Sequence, residues 1–492
     1  MLPTWIFIVC LLAGRWALKQ PVRMLPVMLV SCGFGASAAL EVVLLGSAPI
    51  SPALFFVPFL WYAAWRTGQG SAIAGAVSLR EPGGWLLLYT AWLAFSAVFM
   101  PRLLQGESLV YTTSRATSAL SGVDLLPLAP NSTNLTQGAY AVLGLAIFMG
   151  VRALASKRDL GRWALNAVMA AASVNLLMVV WDALQAFSGV DLGLSWIRNA
   201  NYAVVSQSVG GWPRLQGAFP EPAAMASFTL VPYTILLALW LRGVEPAKTG
   251  VLAGLSGVAL VCTLSSTAFV SIVVVTVVVV LSHLWSQMNM ERRSPRFGAV
   301  TAIFLGLVSA ACVLVLWWPT WLQRMADISW IMVFEKAEST SGQERLQWAL
   351  GTWQNFLDSW GFGTGTGSAR GSSYPLVVLG NAGLPGLLLV MTFLGLCLFK
   401  PTRLDKAQAV EGSPVSLHRN MLFAFRLGLV GRLIPLSLSG TMIDPGPMFY
   451  VIAGMVAGLL TSANTIAPDA DREAGDTADR ADAHAHLTAR NT

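Results

Sequence analysis

Apolar residues in this chain gather into long runs, and polar residues gather in the segments between them. A run such as Val251–Leu281 shows no alternation of apolar and polar positions, so it does not read as barrel strands with one face to lipid and one to water. Runs of about 17–25 apolar residues are long enough to carry an α-helix across a hydrocarbon core of about 30 Å. A helix also satisfies its own amides and carbonyls where no water is present. Thirteen spans are predicted, over residues 3–18, 24–46, 51–65, 85–101, 138–151, 163–187, 223–241, 249–265, 267–285, 298–318, 375–399, 420–438 and 446–463. The fold class is therefore all-α: a polytopic transmembrane helix bundle of twelve or thirteen spans within a membrane domain over 1–466. From Ala467 the chain is rich in Asp, Ala and Arg and nearly lacks bulky apolar residues, so 467–492 is expected to be a disordered tail.

Composition agrees. Charged residues make up 11% of the chain and apolar residues 55%, with a mean hydropathy of +0.63. An average soluble domain carries about 25% charged residues, so this chain could not cover its apolar surface in water. Cys10, Cys32, Cys262, Cys312 and Cys397 all fall in apolar segments without paired spacing, which argues against a disulfide framework or a zinc site. The net charge of +7 does not point to nucleic acid, because in a membrane chain Lys and Arg report the side on which each loop lies.

Read that way, the loops alternate. Eighteen basic residues fall in one set of mostly short loops, including Arg15, Lys19 and Arg23, Arg66 and Arg80, Arg242 and Lys248, and Lys400, Arg403 and Arg419. Eight fall in the longer loops of the other set: Arg102, Arg115, Arg198, Arg214, Arg324, Lys336, Arg345 and Arg370. The positive-inside rule assigns the first set, and the tail, to the cytoplasm. The first apolar run is followed by its positive charges, the reverse of a secretory signal, and is kept as a span. Three long loops then face outward, near 102–137, 188–222 and 319–374.

Candidate chemistry lies on these loops. The second ends with Arg214-Leu215-Gln216-Gly217-Ala218-Phe219-Pro220-Glu221-Pro222, where two prolines stiffen the chain around Glu221 as it returns to the membrane. In the third loop, Ser341-Gly342-Gln343-Glu344 fits a capping box. After it Leu346, Leu350, Trp353, Leu357 and Trp360 recur at helical spacing, giving an apolar stripe suited to a helix on the membrane surface. Arg345 would sit in the first turn, where the helix dipole disfavours a cation unless an anion such as phosphate accompanies it. The glycines of 361–371 could turn their amides towards an anion, with Arg370, Ser372 and Ser373 as further donors. The Gly-Lys-Ser/Thr ending of a nucleotide-binding loop is missing. Arg432 lies deep in a predicted span, where an unpartnered charge costs about 2.5–3.5 kcal/mol, and Asp444 in the next outer turn is its candidate partner. The four histidines, His283, His418, His484 and His486, all fall on the cytoplasmic side or in the tail, so Glu221 is the leading candidate for a proton acceptor outside.

Three of these segments together resemble the O-antigen polymerase and O-antigen ligase superfamily of membrane glycan transferases. The resemblance lies in Arg214–Gly217 followed by Glu221-Pro222-Ala223, in Ser341–Trp348 with Arg345, and in Gly363–Ser373 followed by Asn381-Ala382-Gly383-Leu384-Pro385-Gly386. The large outer loop before the last spans matches too. The resemblance implies transfer of a glycan from an undecaprenyl-pyrophosphate donor at the outer face of a bacterial inner membrane, without metal, nucleotide or other cofactor. By that resemblance Arg214 and Arg345 would hold the pyrophosphate or activate the leaving group; Arg370, Ser372, Ser373, Arg432 and Asp444, singled out above from their own positions, are the candidate substrate-binding residues. The partners implied are the lipid-linked glycan, the bilayer and a chain-length regulator, with no nucleic acid. Ligases of this superfamily use an outer-loop histidine, which is missing here, so a polymerase of O-antigen or exopolysaccharide repeats is the favoured expectation and ligase-type transfer the alternative. A lipid-glycan transporter would instead place paired charges mid-membrane on two related halves, which the sequence does not show. A purely structural membrane protein is the remaining alternative.

Overall fold

The structure, a computed structural model, describes all residues except 1, 43–47, 69–74, 114–122, 157–159, 201–207, 210, 289–339, 406–412, 464–465 and 467–492. The predicted span 298–318, the first part of the third outer loop and the predicted tail lie outside the described residues.

The chain runs through α1 (Trp5–Leu18), α2 (Met24–Ser31), α3 (Val57–Arg66), α4 (Pro82–Leu103), α5 (Ser132–Ala155), α6 (Leu160–Ser188) and α7 (Pro222–Leu241). It continues through α8 (Pro246–Cys262), α9 (Ser266–Met288), α10 (Thr340–Asp358), α11 (Tyr374–Phe399), α12 (Pro414–Ser439) and α13 (Pro447–Ala463). Among the described residues, α4, α5, α6, α7, α9, α11 and α12 are each long and apolar enough to cross a membrane. The protein is an all-α polytopic bundle, as its hydropathy predicts. Among the described residues the strands are short: β1 (Leu2–Pro3), β2 (Leu40–Val42) and β3 (Ala48–Ile50) in one antiparallel sheet, β4 (Leu109–Thr113) against β5 (Val123–Pro127) in a hairpin, and β6 (Ser208–Val209) against β7 (Trp212–Pro213).

Two spans are shorter than their apolar runs. The run 24–46 is helical only as far as Ser31, and 51–65 is split at Phe56. After Ser31 the chain meets the second outer loop backbone to backbone: Ala36 N–H donates to Ala218 O (2.9 Å) and Ala200 N–H to Ala36 O (3.0 Å). A Cβ on Gly35 would lie 2.6 Å from the Phe219 ring, so only glycine permits this approach. Non-helical backbone at such a position is tolerated because it is buried in protein rather than exposed to lipid.

The central helix is α7, packed against α6, α8, α9 and α12. Small residues let it sit close: a Cβ on Gly431 would come within 2.4 Å of Thr234 Oγ1, and one on Gly428 within 2.5 Å of Ile235. Such close approach gains van der Waals contact where lipid offers no hydrophobic driving force. Loops at each end of the bundle contact one another. On one side Arg66 donates to Leu18 O (2.8 Å), Lys400 pairs with Glu81 (2.7 Å) and Arg162 with Glu245 (2.9 Å). On the other, Ser108 donates to Asp358 (2.7 Å) and Asp444 N–H to Gln137 (3.2 Å).

Candidate functional site

The glycine-rich segment between α10 and α11 does not form an anion cradle. Its amides are already used: Gly363 N–H donates to Ser359 Oγ (2.8 Å), Thr364 N–H to Gly380 O (2.8 Å), Gly365 N–H to Asn381 O (2.9 Å) and Ala369 N–H to Asn381 Oδ1 (3.1 Å). The glycines serve close packing instead. Gly363, Gly365 and Gly367 have φ of 83, 105 and 80°, where L side chains are strained. A Cβ on each would lie 2.5–2.6 Å from Gly383, Pro101 or Thr133. Thr364, Thr366 and Ser368 are buried, so this loop is wedged among α4, α5 and α11.

Asn381 holds the wedge. Fully buried, it donates from Nδ2 to Ala369 O (2.8 Å) and Val377 O (2.9 Å) while its Oδ1 accepts from Ala369 N–H. Two residues on, α11 breaks at Gly383 (φ 67°), because Pro385 cannot donate back to Asn381 O. That carbonyl accepts from Gly365, and Ala382 O accepts from Trp92 Nε1 (2.7 Å). On the other flank Asn131 and Asn134 cap α5 reciprocally, and Asn134 Nδ2 reaches Thr366 O (2.8 Å) and Ser368 Oγ (2.9 Å). The buried Asn134 is thus a structural clamp.

The second outer loop is pinned by Asp182 of α6. Its carboxylate accepts from Arg198 (2.6 Å) and from the amides of Gln216 (2.7 Å) and Gly217 (2.9 Å), with both charged side chains nearly buried. This fixes Arg214, whose Nε donates to Thr263 O (3.1 Å) at the end of α8. A hollow of about 360 Å³ lies beside it, lined by Asp182, Arg198, Arg214 and Gln216. Glu221 precedes α7 at its N-cap with extended backbone ahead of Pro222, and it is exposed.

Helix α10 starts at Thr340, so Ser341 falls inside its first turn rather than at its cap, and Arg345 lies in the second turn. Its apolar stripe faces outward: Leu346, Leu350, Trp353, Leu357 and Trp360 are exposed, while Thr352, Asn355 and Ser359 are buried against the protein. That is the arrangement of a helix presenting apolar residues to lipid. Arg345 is tied to the loop that follows, since its carbonyl accepts from Ser372 Oγ (2.6 Å). Ser373 precedes α11 without capping it. Arg370 N–H donates to Tyr111 O (2.8 Å), its guanidinium lies 5.1 Å from the Trp348 ring centroid, and its Nε is buried without a hydrogen-bond partner.

Four of the predicted charges thus share one field. Burial pulls Arg214 and Arg370 below the ordinary arginine value; in both, the Glu221 carboxylate opposes that shift and the Arg345 cation adds to it. Arg214, Glu221, Arg345 and Arg370, distant in sequence, thus act on one another electrostatically, and Ser372 is tied to Arg345 through its carbonyl. Arg432 and Asp444 are not part of this group. Arg432 donates to Ser227 Oγ (2.5 Å) and Pro445 O (2.6 Å), a brace between α12, α7 and the outer turn. Asp444 accepts from Gly446 N–H and the Tyr450 hydroxyl, and no salt bridge joins it to Arg432 among the described residues; the cation only biases it electrostatically. Among the described residues no group of His, Cys, Asp and Glu could hold a metal ion.

Sequence reading gave no role of their own to Asp182, Arg198, Asn381 or Trp348. For Asp182 and Asn381 the signal was present, as a polar group deep in an apolar run. Comparison with protein-family models and with curated proteins gives no match. The fold by itself defines a multi-pass α-helical membrane protein.

Proposed function

We propose that this protein polymerises glycan repeat units carried on undecaprenyl pyrophosphate, at the periplasmic face of a bacterial inner membrane. The observation that carries this reading is that Arg214 and Arg370, both pulled down by burial, share the electrostatic influence of Glu221 and Arg345, on loops assigned outside by charge. Three guanidiniums in a partly dry site repel one another, and a pyrophosphate offers the matching anionic oxygens, which guanidinium forks bind in pairs.

In the reaction, the hydroxyl oxygen of an acceptor sugar attacks the anomeric carbon of the donor glycan. The new C–O bond forms as the bond to pyrophosphate breaks, and lipid pyrophosphate leaves with its electron pair. The arginines stabilise the charge that grows on it. Glu221, exposed at the rim of the site, takes the proton of the acceptor hydroxyl. The absence of histidine from the outer loops favours this over ligase-type transfer. The test is Glu221→Gln, which keeps shape but cannot take a proton at neutral pH. Turnover should fall by roughly 10²–10⁴ at normal protein level, with lipid-linked single repeats accumulating. Near wild-type polymer would end the assignment of Glu221 as base.

A further inference from the structure

A second feature adjoins the arginines and differs from them in sign. Between the β4–β5 hairpin and α10 runs a groove of about 530 Å³, lined by Glu107, Tyr111, Gln347, Leu350, Gln354 and Asp358 among others, with no Lys or Arg among the described residues of its lining. We infer that this groove holds the uncharged sugar chain of the acceptor, its end directed towards the arginine site; the inference rests on the transferase reading above.

The chemistry of the lining selects the ligand class. The two carboxylates, with no cation among the described lining residues, repel an anionic group, so this lining does not extend the pyrophosphate site. Carboxylates accept only, amides both donate and accept, and together they match the paired hydroxyls of a sugar ring, each both donor and acceptor. Tyr111 and Leu350 supply the apolar surface that the C–H faces of such a ring need. The volume is within the range of small-molecule sites.

The groove is also built. Asp358 is fixed by Ser108 Oγ (2.7 Å) and by Gln354 Nε2 (2.7 Å). Behind it Asn355, 1% exposed, donates to Ser108 Oγ (2.8 Å) and Leu109 O (2.6 Å), which fastens hairpin to helix, while its Oδ1 has no hydrogen-bond partner. A buried acceptor left open is unfavourable unless a water or a ligand hydroxyl meets it. Finally, the groove leads to the arginines. The carbonyl of Tyr111 holds the Arg370 amide, Arg370 lies over Trp348, and Gln347 is the chain neighbour of Trp348 two residues beyond Arg345. Moving around α10 from Arg345, Trp348 and its stacked guanidinium separate a cationic side from an acidic, amide-lined side. A donor pyrophosphate and an acceptor sugar would be held on either side of that boundary.

The experiment uses the full chain in lipid nanodiscs and two probes: undecaprenyl pyrophosphate, and the free oligosaccharide released by mild acid from the host's own lipid-linked repeats. Gln354→Trp fills the groove from an exposed helix position, and Gln347→Ala removes one amide without adding bulk. Oligosaccharide affinity should fall at least tenfold in each variant, while affinity for undecaprenyl pyrophosphate stays within twofold of wild type. Unchanged oligosaccharide binding in both variants, or a groove that takes calcium or an arginine-rich peptide but not the sugar, would overturn the inference. If wild type binds undecaprenyl pyrophosphate but not the oligosaccharide, the groove assignment falls and the transferase reading stands. If it does not bind undecaprenyl pyrophosphate, the transferase reading itself fails.

Discussion

Asn381→Ala would release the wedge that sets Arg370 in place. The substitution removes one side chain and leaves two buried groups of Ala369, its N–H and its C=O, without the partners they have at 3.1 and 2.8 Å. Val377 O keeps its helical bond, so only the loop side loses satisfaction. Each orphaned group costs about 1–3 kcal/mol, and hydrogen bonds measured inside membrane proteins fall near the low end, so the sum is about 2–4 kcal/mol. That cost falls on local opening of 361–371 rather than on the whole bundle, because the long helices keep their own contacts. At 1.4 kcal/mol per tenfold, the open population should rise by roughly 30- to 1,000-fold. The assay is labelling of Thr366→Cys by a membrane-impermeant thiol reagent. Thr366 is fully buried in the closed loop, and because Cys32 and Cys262 are only half-buried the labelling is run with the five native cysteines replaced by alanine. Faster labelling with intact expression is expected in the Asn381→Ala background; an unchanged rate would show that Asn381 does not hold the loop.

Two further outcomes follow from the same geometry. Burial raises the Asp444 carboxyl to about 6 from its ordinary 3.8, against the opposing effects of Gly446 N–H, Tyr450 and Arg432. The folded state therefore holds a proton that the unfolded chain has lost, so stability is full below the unfolded value and falls as pH rises through 4–6, by at most about 1.4 kcal/mol per pH unit. Thermal denaturation in detergent should show that slope, Asp444→Asn should flatten it, and an identical slope in the variant would refute the assignment. A topology reporter fused after Gly371 should read as periplasmic and one after Lys406 as cytoplasmic, and a cytoplasmic reading at Gly371 would invert every loop.

How much of this was legible in the sequence differs by element. The long helices were, because crossing lipid demands a run of apolar residues and nothing else competes with that signal in α4, α6 or α9. The second and third spans were not, since hydropathy is blind to backbone path: the residues after Ser31 are apolar yet pair with Ala218 and Ala200, contacts that exist only once the second outer loop is folded over them. The four charges of the site were visible one by one at Arg214, Glu221, Arg345 and Arg370, each at an unusual position. Their convergence was not, because it depends on how the loops pack. The glycine-rich segment misled for a definable reason. Glycine at positive φ reads alike in sequence whether its amide faces an anion or its missing Cβ admits a neighbouring backbone, and here Asn381, Pro101 and Thr133 decide for the second.

The central claim is that outer-face arginines bind and activate a lipid pyrophosphate, and purified protein in liposomes supplied with radiolabelled undecaprenyl-pyrophosphate-linked repeats tests it most directly. Wild type should release undecaprenyl pyrophosphate and extend the glycan without added metal or nucleotide. Arg345→Lys, which keeps the charge but loses the paired contacts of the fork, should give little polymer at equal protein. No polymer from wild type, or full polymer from Arg345→Lys, would contradict the account.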